Sequence, residues 1–554
     1  MKGVVFGYVG PRRVSALLKE YQEGEPILGR LVQIKNGDKL VIGRVMDFRR
    51  SSDLLKNYDQ AKLFDKRKDS PFTKELLGFR EGIELEIELI TALDNNLKRV
   101  PLNFALQLLS EVEFLQDFPF KPTPYTGYLG HYWGTSIKAP LILQDFQTLK
   151  EAYHFFVAGQ TGSGKSTLVQ MLLALYHKLN PNMNFLIIDT VGEFTASFEG
   201  GRNLFLKLRD IWNSRVEIYK PPENLALEGW ELFKELCIEY EIMKILGVPA
   251  KSVDNAKDGI DYLVRKLRGK ANNDTGYITP RVVEEVLQSL KKDEEFVKSI
   301  YKRDENARNR VRSALENQSY FEEFVKAVQN IGNLFTVDAN TNKKTIKDVI
   351  SGFLNSALKG SSGKCVVLDF TLYKAGGNLI SLRSKYVRET LKYLYSAGIE
   401  LYRSKGDINL NTLVVLEEAH NYAPKKTEDE ELNELSNEIV KYFIETRKLG
   451  IGWMCITTRP SNVRREIFEH SRVKFIGMGL TSGPDGELLR ENFGQEFLNT
   501  YILFPDPSDP LSSKKEVCFA VSGPITILSR QSPDFISVFS SKDEFLKENG
   551  FSQS

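Results

Sequence analysis

The sequence predicts an α/β protein whose core contains a glycine-rich loop, is preceded by a small β-barrel and is interrupted by a block of helices. Short strand patterns with no helices between them occupy residues 1–120. A glycine-rich loop at 159–166 stands between an apolar run and a segment with helical spacing. Residues 221–348 show helical spacing with no strand of comparable strength. The core is therefore expected at 151–220 and 349–530, on either side of a helical insertion.

The N-terminal module carries two patterns typical of paired strands. Asn36-Gly37 separates the strand-like runs 30–35 and 39–48, and Asn-Gly in that position is a strong hairpin signal. Apolar residues alternate strictly with glutamates over 83–89, which predicts one buried face and one wet face. Short strands of this kind predict a small barrel, and no residues with evident chemistry lie in it.

Three segments are expected to lack regular structure. Residues 51–70 are polar and dense in charge, which is more typical of a solvated loop than of a binding patch. Residues 121–150 are interpreted as a linker entering the core, because they are rich in proline, glycine and tyrosine. Residues 531–554 are interpreted as a C-terminal tail, and its last part, 542–554, is expected to be loosely ordered.

The segment 159–166 reads G-Q-T-G-S-G-K-S and fits the pattern G-x-x-x-x-G-K-[ST] without a mismatch. It follows the apolar strand Phe155–Ala158 and opens a helix, so backbone N–H groups and the helix N-terminus can face a phosphate. Lys165 is predicted to reach the β- and γ-phosphates of ATP, and the Ser166 hydroxyl to ligate Mg²⁺. The predicted ATP-binding residues are Gly159, Thr161, Gly162, Ser163, Gly164, Lys165, Ser166 and Thr167.

A second apolar run, Leu413–Leu416, ends in two acids. Glu417 is the candidate for the Mg²⁺ shell, and Glu418 is the candidate base that polarises the attacking water. Strands often end in acids, so this pair is informative mainly together with the glycine loop. Asp189 ends another apolar run, at the kind of strand end where open α/β sheets bind ligands.

The region after these acids continues the core. Thr427 and Glu430 have the spacing of a capping box, which predicts the start of a helix that ends near residues 447–450. A strand over 451–456 then leads into Thr457–Pro460. The hydroxyl groups there could sense the γ-phosphate, or they could simply end a strand.

Within the helical insertion, Thr279-Pro280 is typical of a helix cap followed by proline at the first helical position. One segment is basic, and its pattern is more typical of a solvated helix face than of a nucleic-acid site. Its arginines are Arg303, Arg308, Arg310 and Arg312.

Composition and cysteine spacing argue against a membrane-spanning protein and against a disulfide-rich one. Hydrophobic content of 42% and charged content of 27% are typical of a soluble globular chain, and no stretch of eighteen uncharged apolar residues is present. The four cysteines lie far apart, which predicts reduced, buried thiols in a cytoplasmic protein. With a net charge of +2, a nucleic-acid partner would need a local basic surface.

The order of these motifs resembles that of the HerA family, the hexameric DNA-translocating ATPases of the FtsK–HerA group. The resemblance covers roughly residues 1–215 and 360–530. It implies a RecA-like P-loop ATPase core that drives double-stranded DNA through a central pore. It also implies a barrel that caps the hexamer and docks a partner, often the nuclease NurA; some relatives pair with sirtuin-like or nuclease effectors in defence against phage.

The resemblance assigns roles residue by residue. Lys165 and Ser166 match the phosphate-loop pair, and Glu417 and Glu418 match the family's double glutamate. Arg447 lies in a match to the family's G-R-K-F-G segment and is the candidate catalytic finger that reaches a neighbour's nucleotide. An arginine supplied in trans would favour a closed ring.

Four positions depart from the family pattern. Thr446 replaces the first glycine of the arginine segment, and Thr458 replaces the family's glutamine sensor. Val191 and Phe194 replace the histidine and the tyrosine of D-x-H-G-E-Y. The sensing role of position 458 is therefore open.

Three hypotheses follow for function. The first is an ATP-driven double-stranded DNA translocase that works with a partner nuclease or effector, in DNA end processing or phage defence. Its candidate pore residues are Lys425, Lys426, Arg464 and Arg465. The second is an ATP-gated ring that activates an effector without processive translocation. The third is an ATPase for protein export or conjugation, which the lack of a membrane segment disfavours.

Overall fold

The computed structural model describes most of the chain in two compact units. The described residues are 2–10, 12–18, 27–52, 81–201, 204–212, 216–271, 278–335, 343–359, 363–372, 379–406, 408–511, 515–528 and 532–551. The first unit comprises Met1–Met183, Ala196–Ser214 and Asn411–Ser554, and the second comprises Asn184–Thr195 and Arg215–Leu410. Most of the charged segment predicted at 51–70 lies outside the described residues.

The elements are named in chain order. The strands are β1 (Lys2–Gly10), β2 (Arg13–Leu18), β3 (Leu31–Asn36), β4 (Lys39–Ser52), β5 (Glu81–Leu93), β6 (Arg99–Val100), β7 (Glu111–Phe114), β8 (Thr126–Tyr132), β9 (Lys138–Ile142), β10 (Phe155–Ala158), β11 (Asn184–Asp189), β12 (Val216–Tyr219), β13 (Leu225–Ala226), β14 (Lys344–Thr345), β15 (Cys365–Asp369), β16 (Thr412–Leu416), β17 (Ile451–Thr457), β18 (Val473–Gly477), β19 (Val517–Ser522) and β20 (Asp534–Val538). The α-helices are α1 (Phe146–Leu149), α2 (Lys165–Leu179), α3 (Glu193–Glu199), α4 (Leu208–Trp212), α5 (Trp230–Glu239), α6 (Ile242–Ile245), α7 (Val253–Ala271), α8 (Pro280–Leu290), α9 (Glu294–Ile300), α10 (Glu305–Glu316), α11 (Gln318–Phe335), α12 (Ile346–Lys359), α13 (Leu379–Lys405), α14 (Glu430–Glu445), α15 (Arg465–His470), α16 (Gly483–Phe493), α17 (Gln495–Tyr501) and α18 (Lys542–Glu548).

The N-terminal strands close into a barrel in the order β2-β1-β7-β3-β4-β5, with β5 pairing back to β2 and β6 added beside β5. The predicted hairpin is present: β3 pairs with β4 up to Asn36↔Lys39, and Gly37 and Asp38 form the turn. Gly37 has φ +63°, a conformation that glycine adopts without strain. Along β5 the apolar residues from Ile83 to Leu89 are buried and the glutamates between them are half-buried, as the alternation predicts.

Eight strands of the first unit lie side by side in one sheet, in the order β16-β17-β10-β18-β19-β20-β8-β9. β16, β17, β10 and β18 are parallel, and the other neighbours are antiparallel. Every residue of β10, β16 and β17 is buried. Burial on both faces explains why these strands read as continuous apolar runs without alternation.

The structure corrects the predicted linker at 121–150, because β8 and β9 lie there and belong to the sheet. The glycines that suggested a linker instead permit close strand pairing. A Cβ on Gly130 would lie 1.9 Å from the carbonyl oxygen of Ser537 on β20. Composition alone cannot separate these two uses of glycine.

The predicted tail at 531–554 is also corrected, since it contributes β20, and the part expected to be loosely ordered, 542–554, begins with α18. The Ser541 side chain caps α18, and Phe545 on that helix is fully buried. Asn549 is hydrogen-bonded to both backbone groups of Tyr128, with each donor and acceptor 2.8 Å apart. These contacts hold the segment against β8.

In the second unit, β12, β15 and β11 form a parallel set in that order. Helices α5 to α11 lie between β13 and β14, and these two short strands pair with each other, so the two ends of the inserted block meet. Thr279 caps α8 with Pro280 at its start, as predicted.

The α/β fold class with an N-terminal barrel, a P-loop core and a helical insertion is confirmed. No helix in the described part of the chain is long and apolar enough to cross a membrane.

A buried ion pair joins the barrel to the core sheet of the first unit. The guanidinium of Arg44 on β4 lies 3.6 Å from the carboxylate of Asp534 on β20, and both side chains are almost fully buried. The same guanidinium stands 4.5 Å from the centre of the Phe535 ring. Burial raises the pKa of Asp534 to about 7, against the opposing charges of Arg44 and Arg99.

The raised pKa of Asp534 predicts a stability that depends on pH. The folded state holds this proton above the ordinary aspartate pKa of about 3.9, so the free energy of unfolding falls as pH rises from there through about 7. We expect the thermal midpoint of the wild type to fall more between pH 5 and pH 8 than that of Asp534→Asn, whose amide does not titrate. Asp38→Asn, in the exposed hairpin turn, is the control; equal slopes in Asp534→Asn and the wild type would contradict the prediction.

Candidate functional site

The parallel register of three neighbouring strands places the candidate residues at one edge of the first unit. Ala158, the last residue of β10, pairs with Thr457, the last residue of β17. Leu416, the last residue of β16, pairs with Cys455, which lies two residues before the end of β17. The glycine loop, Thr457 and the acids after β16 therefore all follow the carboxyl ends of adjacent strands, where α/β sheets bind ligands.

The glycine loop has the backbone that its sequence requires. Gly162 and Gly164 both have φ +82°, a left-handed conformation that other residues rarely adopt. A Cβ on Gly164 would lie 2.5 Å from the Val517 side chain, and one on Gly159 would lie 2.4 Å from the Ser163 hydroxyl. Substitution at these glycines would therefore displace the loop.

Lys165 begins α2 directly after the loop, and its side chain is folded against it. Its Nζ donates to the carbonyl oxygens of Gly159 and Gln160, at 2.9 and 3.0 Å. Only 8% of the residue is exposed. The ammonium group is thus held at the loop, and Ser166 and Thr167 follow it in the first turn of a helix of 15 residues.

The loop fits a nucleotide phosphate. The Ser163 hydroxyl is buried and has no hydrogen-bond partner within the described residues. A buried polar atom without a partner is costly, and a ligand could satisfy this one. Open space within 4 Å of the Gly162 Cβ position is consistent with an approach to the backbone there. Ser166 and Glu417 carry the oxygen atoms that would hold Mg²⁺ when such a nucleotide is bound.

The two acids occupy different environments. Glu417 is 5% exposed at the end of β16. Glu418 has φ 48° and ψ 48°, an unusual backbone for a residue other than glycine. Its carboxylate lies 3.2 Å from His420 Nδ1 and accepts from the Thr458 hydroxyl at 3.5 Å. Strain of this kind, about 1–3 kcal/mol, is concentrated at functional sites.

His420 links the acids to the neighbouring strand. Its Nδ1 also lies 3.1 Å from the Thr457 hydroxyl. Burial lowers the pKa of His420; the carboxylate of Glu418 opposes the shift, and the positive charges of Arg459 and Lys165 add to it. Lys165 and the Glu418–His420 pair therefore share one electrostatic environment, in which the imidazole is neutral at pH 7.

Arg447, the candidate finger, lies in a 3₁₀ turn, Thr446–Leu449, and forms an ion pair with Glu151. Glu151 also pairs with Arg472 at 3.1 Å. The capping box predicted for the preceding helix is wrong, because the α14 cap is Asp429, which accepts from the backbone N–H of Leu432. The Thr427 hydroxyl instead accepts from the backbone N–H of Asp429.

The other predicted residues are distributed as follows. Lys425 and Lys426 are exposed. Arg464 pairs with Glu466 at 2.9 Å, and Arg465 pairs with Glu469 at 2.6 Å, so these two arginines have local carboxylate partners. Asp189, in the second unit, accepts from the backbone N–H groups of Gly192 and Thr195 and thereby fixes the turn after β11.

The sequence did not indicate the support that β18 gives to the loop. The backbone N–H of Gln160 donates to the carbonyl of Met478, and a Cβ on Gly479 would lie 2.3 Å from the Gln160 side-chain oxygen. The Tyr501 hydroxyl donates to the carbonyl of Gly477. These contacts depend on β18 lying beside β10, which no local pattern reveals.

Comparison with protein families gives a match over part of the chain. Residues 147–358 match the family model of the HerA helicase central domain. The resemblance to the HerA family, and with it the prediction of a P-loop ATPase, is confirmed by this match. A search of curated proteins found no significant match.

Solved structures with remote similarity include the following three. A bacterial conjugative coupling protein, TrwBdeltaN70, is 12% identical, with 72% of this chain and 87% of that chain covered and a TM-score of 0.37. VirB4 of Thermoanaerobacter pseudethanolicus is 11% identical, with coverage of 76% and 99% and a TM-score of 0.39. The genome packaging NTPase B204 from Sulfolobus turreted icosahedral virus 2, in complex with ATP-gammaS, is 7% identical, with coverage of 70% and 98% and a TM-score of 0.30. Such low TM-scores establish nothing about the function of this chain.

The different environments of the two acids predict different losses on substitution. Glu418→Gln should retain ATP binding and lower kcat by about 10²–10⁴, because a base that polarises water is lost. Glu417→Gln should instead raise the Mg²⁺ concentration needed for half-maximal hydrolysis. Steady-state ATP hydrolysis and equilibrium binding of ATP measure the two effects.

The matched control is Glu428→Gln, which removes an exposed carboxylate shortly after the motif and should leave both quantities unchanged. Full hydrolysis in Glu418→Gln would rule out Glu418 as the base.

Proposed function

We propose that the protein is an ATP-driven translocase of double-stranded DNA that works as a ring, in the manner of the HerA family. The observation that carries the proposal is the juxtaposition of the Lys165 loop and the Glu417-Glu418 pair at one edge of a parallel sheet. The HerA central-domain match supports the same reading. The ring is proposed to be a hexamer.

The site's own residues suggest how hydrolysis proceeds. Lys165 would bind the β- and γ-phosphates, and its charge would offset the negative charge that develops on them. Ser166 and Glu417 would hold Mg²⁺, which neutralises phosphate charge when bound. Glu418, oriented by His420 and Thr458, would accept the proton of the attacking water.

Thr457 and Thr458 are proposed to couple the nucleotide to the strand that lies between the loop and the acids. The Thr457 hydroxyl contacts His420 and accepts from the backbone N–H of Arg459 at 3.0 Å. A change at the γ-phosphate could therefore move Arg459, an exposed cation, through one hydrogen-bonded turn. Thr458, whose hydroxyl donates to Glu418 at 3.5 Å, is proposed to take the sensing role of the family's glutamine.

The ring and its partner extend the proposal further. Arg447 would leave Glu151 to reach a nucleotide on the adjacent subunit, and duplex DNA would contact Lys425 and Lys426 through its phosphates. A nuclease of the NurA kind or another effector would dock on the assembly, in DNA end processing or phage defence. All four cysteines are buried free thiols, which supports a reducing, cytoplasmic setting.

One observation favours the alternative, an ATP-gated scaffold that activates an effector without processive movement. Arg447 is already paired within its own subunit, and Arg464 and Arg465 have local carboxylate partners. Fewer unpaired cations remain for a pore than the sequence suggests. Stimulation by DNA separates the two functions, because a scaffold has no reason to hydrolyse ATP faster on duplex DNA.

For a translocase we expect duplex DNA to raise the ATPase rate of the full-length protein several-fold, and Lys165→Ala to abolish hydrolysis with or without DNA. Lys425→Ala/Lys426→Ala should reduce the stimulation and leave the basal rate intact, because only phosphate contacts are lost. Arg465→Ala is the matched control, since its charge has two carboxylate partners. An ATPase rate indifferent to duplex DNA would favour the scaffold.

Action of Arg447 in trans predicts that two inactive variants rescue each other. Lys165→Ala keeps the arginine and loses its own nucleotide site, whereas Arg447→Ala keeps its site and loses the arginine. Mixed rings should regain part of the ATPase activity that neither variant has alone. Glu151→Gln serves as the control: if it reproduces the loss in Arg447→Ala and mixing restores nothing, Arg447 acts only through its ion pair with Glu151.

A further inference from the structure

The helical insertion contains an open cleft of about 540 Å³ between α6, α10 and the start of α11. Its size lies within the range of small-molecule sites, about 300–1,000 Å³. No acidic side chain of the described residues lines it. Its principal polar lining residues are Lys244, Asn306, Asn309, Arg310, Asn317 and Tyr320.

Helix α10 forms one wall of the cleft and has two distinct faces. Ala307, Val311 and Leu315 are buried against the rest of the insertion. Asn306, Arg310 and Asn317 recur at spacings of four and seven residues, so they share another face, and that face lines the cleft. The cleft side of the helix therefore presents mainly amides, one hydroxyl and one cation to solvent.

The arginines of α10 divide between structural and available roles. Arg308 and Arg312 lie four residues apart on one face and pair with Glu305, at 2.9 and 2.7 Å. Arg312 also pairs with Glu294 at 2.9 Å. Arg310 points to the cleft, is exposed and forms no ion pair with any described residue. The solvated-face interpretation thus holds for Arg308 and Arg312 and leaves Arg310 unexplained.

Three more groups complete the cleft. Lys244, across from α10, adds a second cation, which among the described residues pairs with Glu241 of its own turn at 3.0 Å. The Tyr320 ring is 52% exposed at the edge of the cleft. The Asn317 oxygen accepts from the backbone N–H of Tyr320, which fixes the amide beside that ring. Two cations, an aromatic face and amide groups are the set that binds a phosphate together with a planar base.

We propose that this cleft binds a nucleotide, with Arg310 and Lys244 on the phosphate, Tyr320 stacked on the base, and the asparagine amides at the edge of the base. The nucleotide is either free or one unit of a single strand, and the chemistry of recognition is the same in both. The site is separate from the Lys165 loop in sequence and composition. The proposal does not rest on DNA translocation.

Two probes distinguish the sources of the nucleotide in the full-length protein. Thymidine 5′-monophosphate lacks the β- and γ-phosphates that Lys165 is placed to contact, and a short oligothymidylate presents the same unit within a strand. Binding is measured by calorimetry and by fluorescence anisotropy over a series of salt concentrations. Arg310→Glu and Tyr320→Ala should each weaken binding roughly tenfold, since one phosphate contact or one stacked base is lost.

Arg303→Glu is the matched control, because it reverses an exposed arginine of the same segment that does not line the cleft. Arg310→Ala should also reduce the slope of log affinity against log salt by about one. Loss of monophosphate binding in both cleft variants supports a free-nucleotide site; loss of oligothymidylate binding alone supports a strand site. Absence of binding by the wild type, or equal losses in Arg303→Glu, would overturn the proposal, whatever DNA does to the ATPase rate.

Discussion

The hydrogen-bonded register of β16, β17 and β10 is the constraint on which the candidate site depends. Because the three strands are parallel and end within two residues of one another, residues far apart in sequence meet at one edge. Lys165, Thr457 and Glu418 belong to three different strand ends. A slip of one residue in this register would turn the strand-end side chains to the opposite face and would separate the residues of the candidate site.

Ion pairs with carboxylates of the same chain determine which arginine and lysine side chains can bind a ligand. The sequence shows many arginines, but Arg308, Arg312, Arg464 and Arg465 pair with glutamates of the same chain. Pairs between exposed side chains contribute only about 0–1 kcal/mol to stability, yet they hold each guanidinium in place and reduce its attraction for phosphate. Identifying a binding surface here therefore requires the partner of every charge as well as a count of charges.

Local patterns predicted the parts of the fold that local physics determines. The loop of Gly159 to Ser166, the Asn36-Gly37 hairpin and the Thr279 cap each depend on residues within a few positions, and the structure has all three. The linker and tail predictions failed because β8 and β20 are held by partners hundreds of residues away. The backbone hydrogen bond from Gln160 to Met478 and the contact between His420 and Thr457 could not be predicted for the same reason. Both depend on the order of the strands in the sheet, which composition and spacing do not reveal.

Closure of the barrel has a consequence for any molecule that meets the N-terminal module. In the ring of six strands, β5 pairs with β2, so the backbone groups of both strands are hydrogen-bonded to neighbouring strands. An incoming chain cannot add a strand between β5 and β2, and among the described strands the short β6 beside β5 is the one that keeps an open edge. Recognition along the closed part of the barrel must therefore rely on side chains and connecting loops.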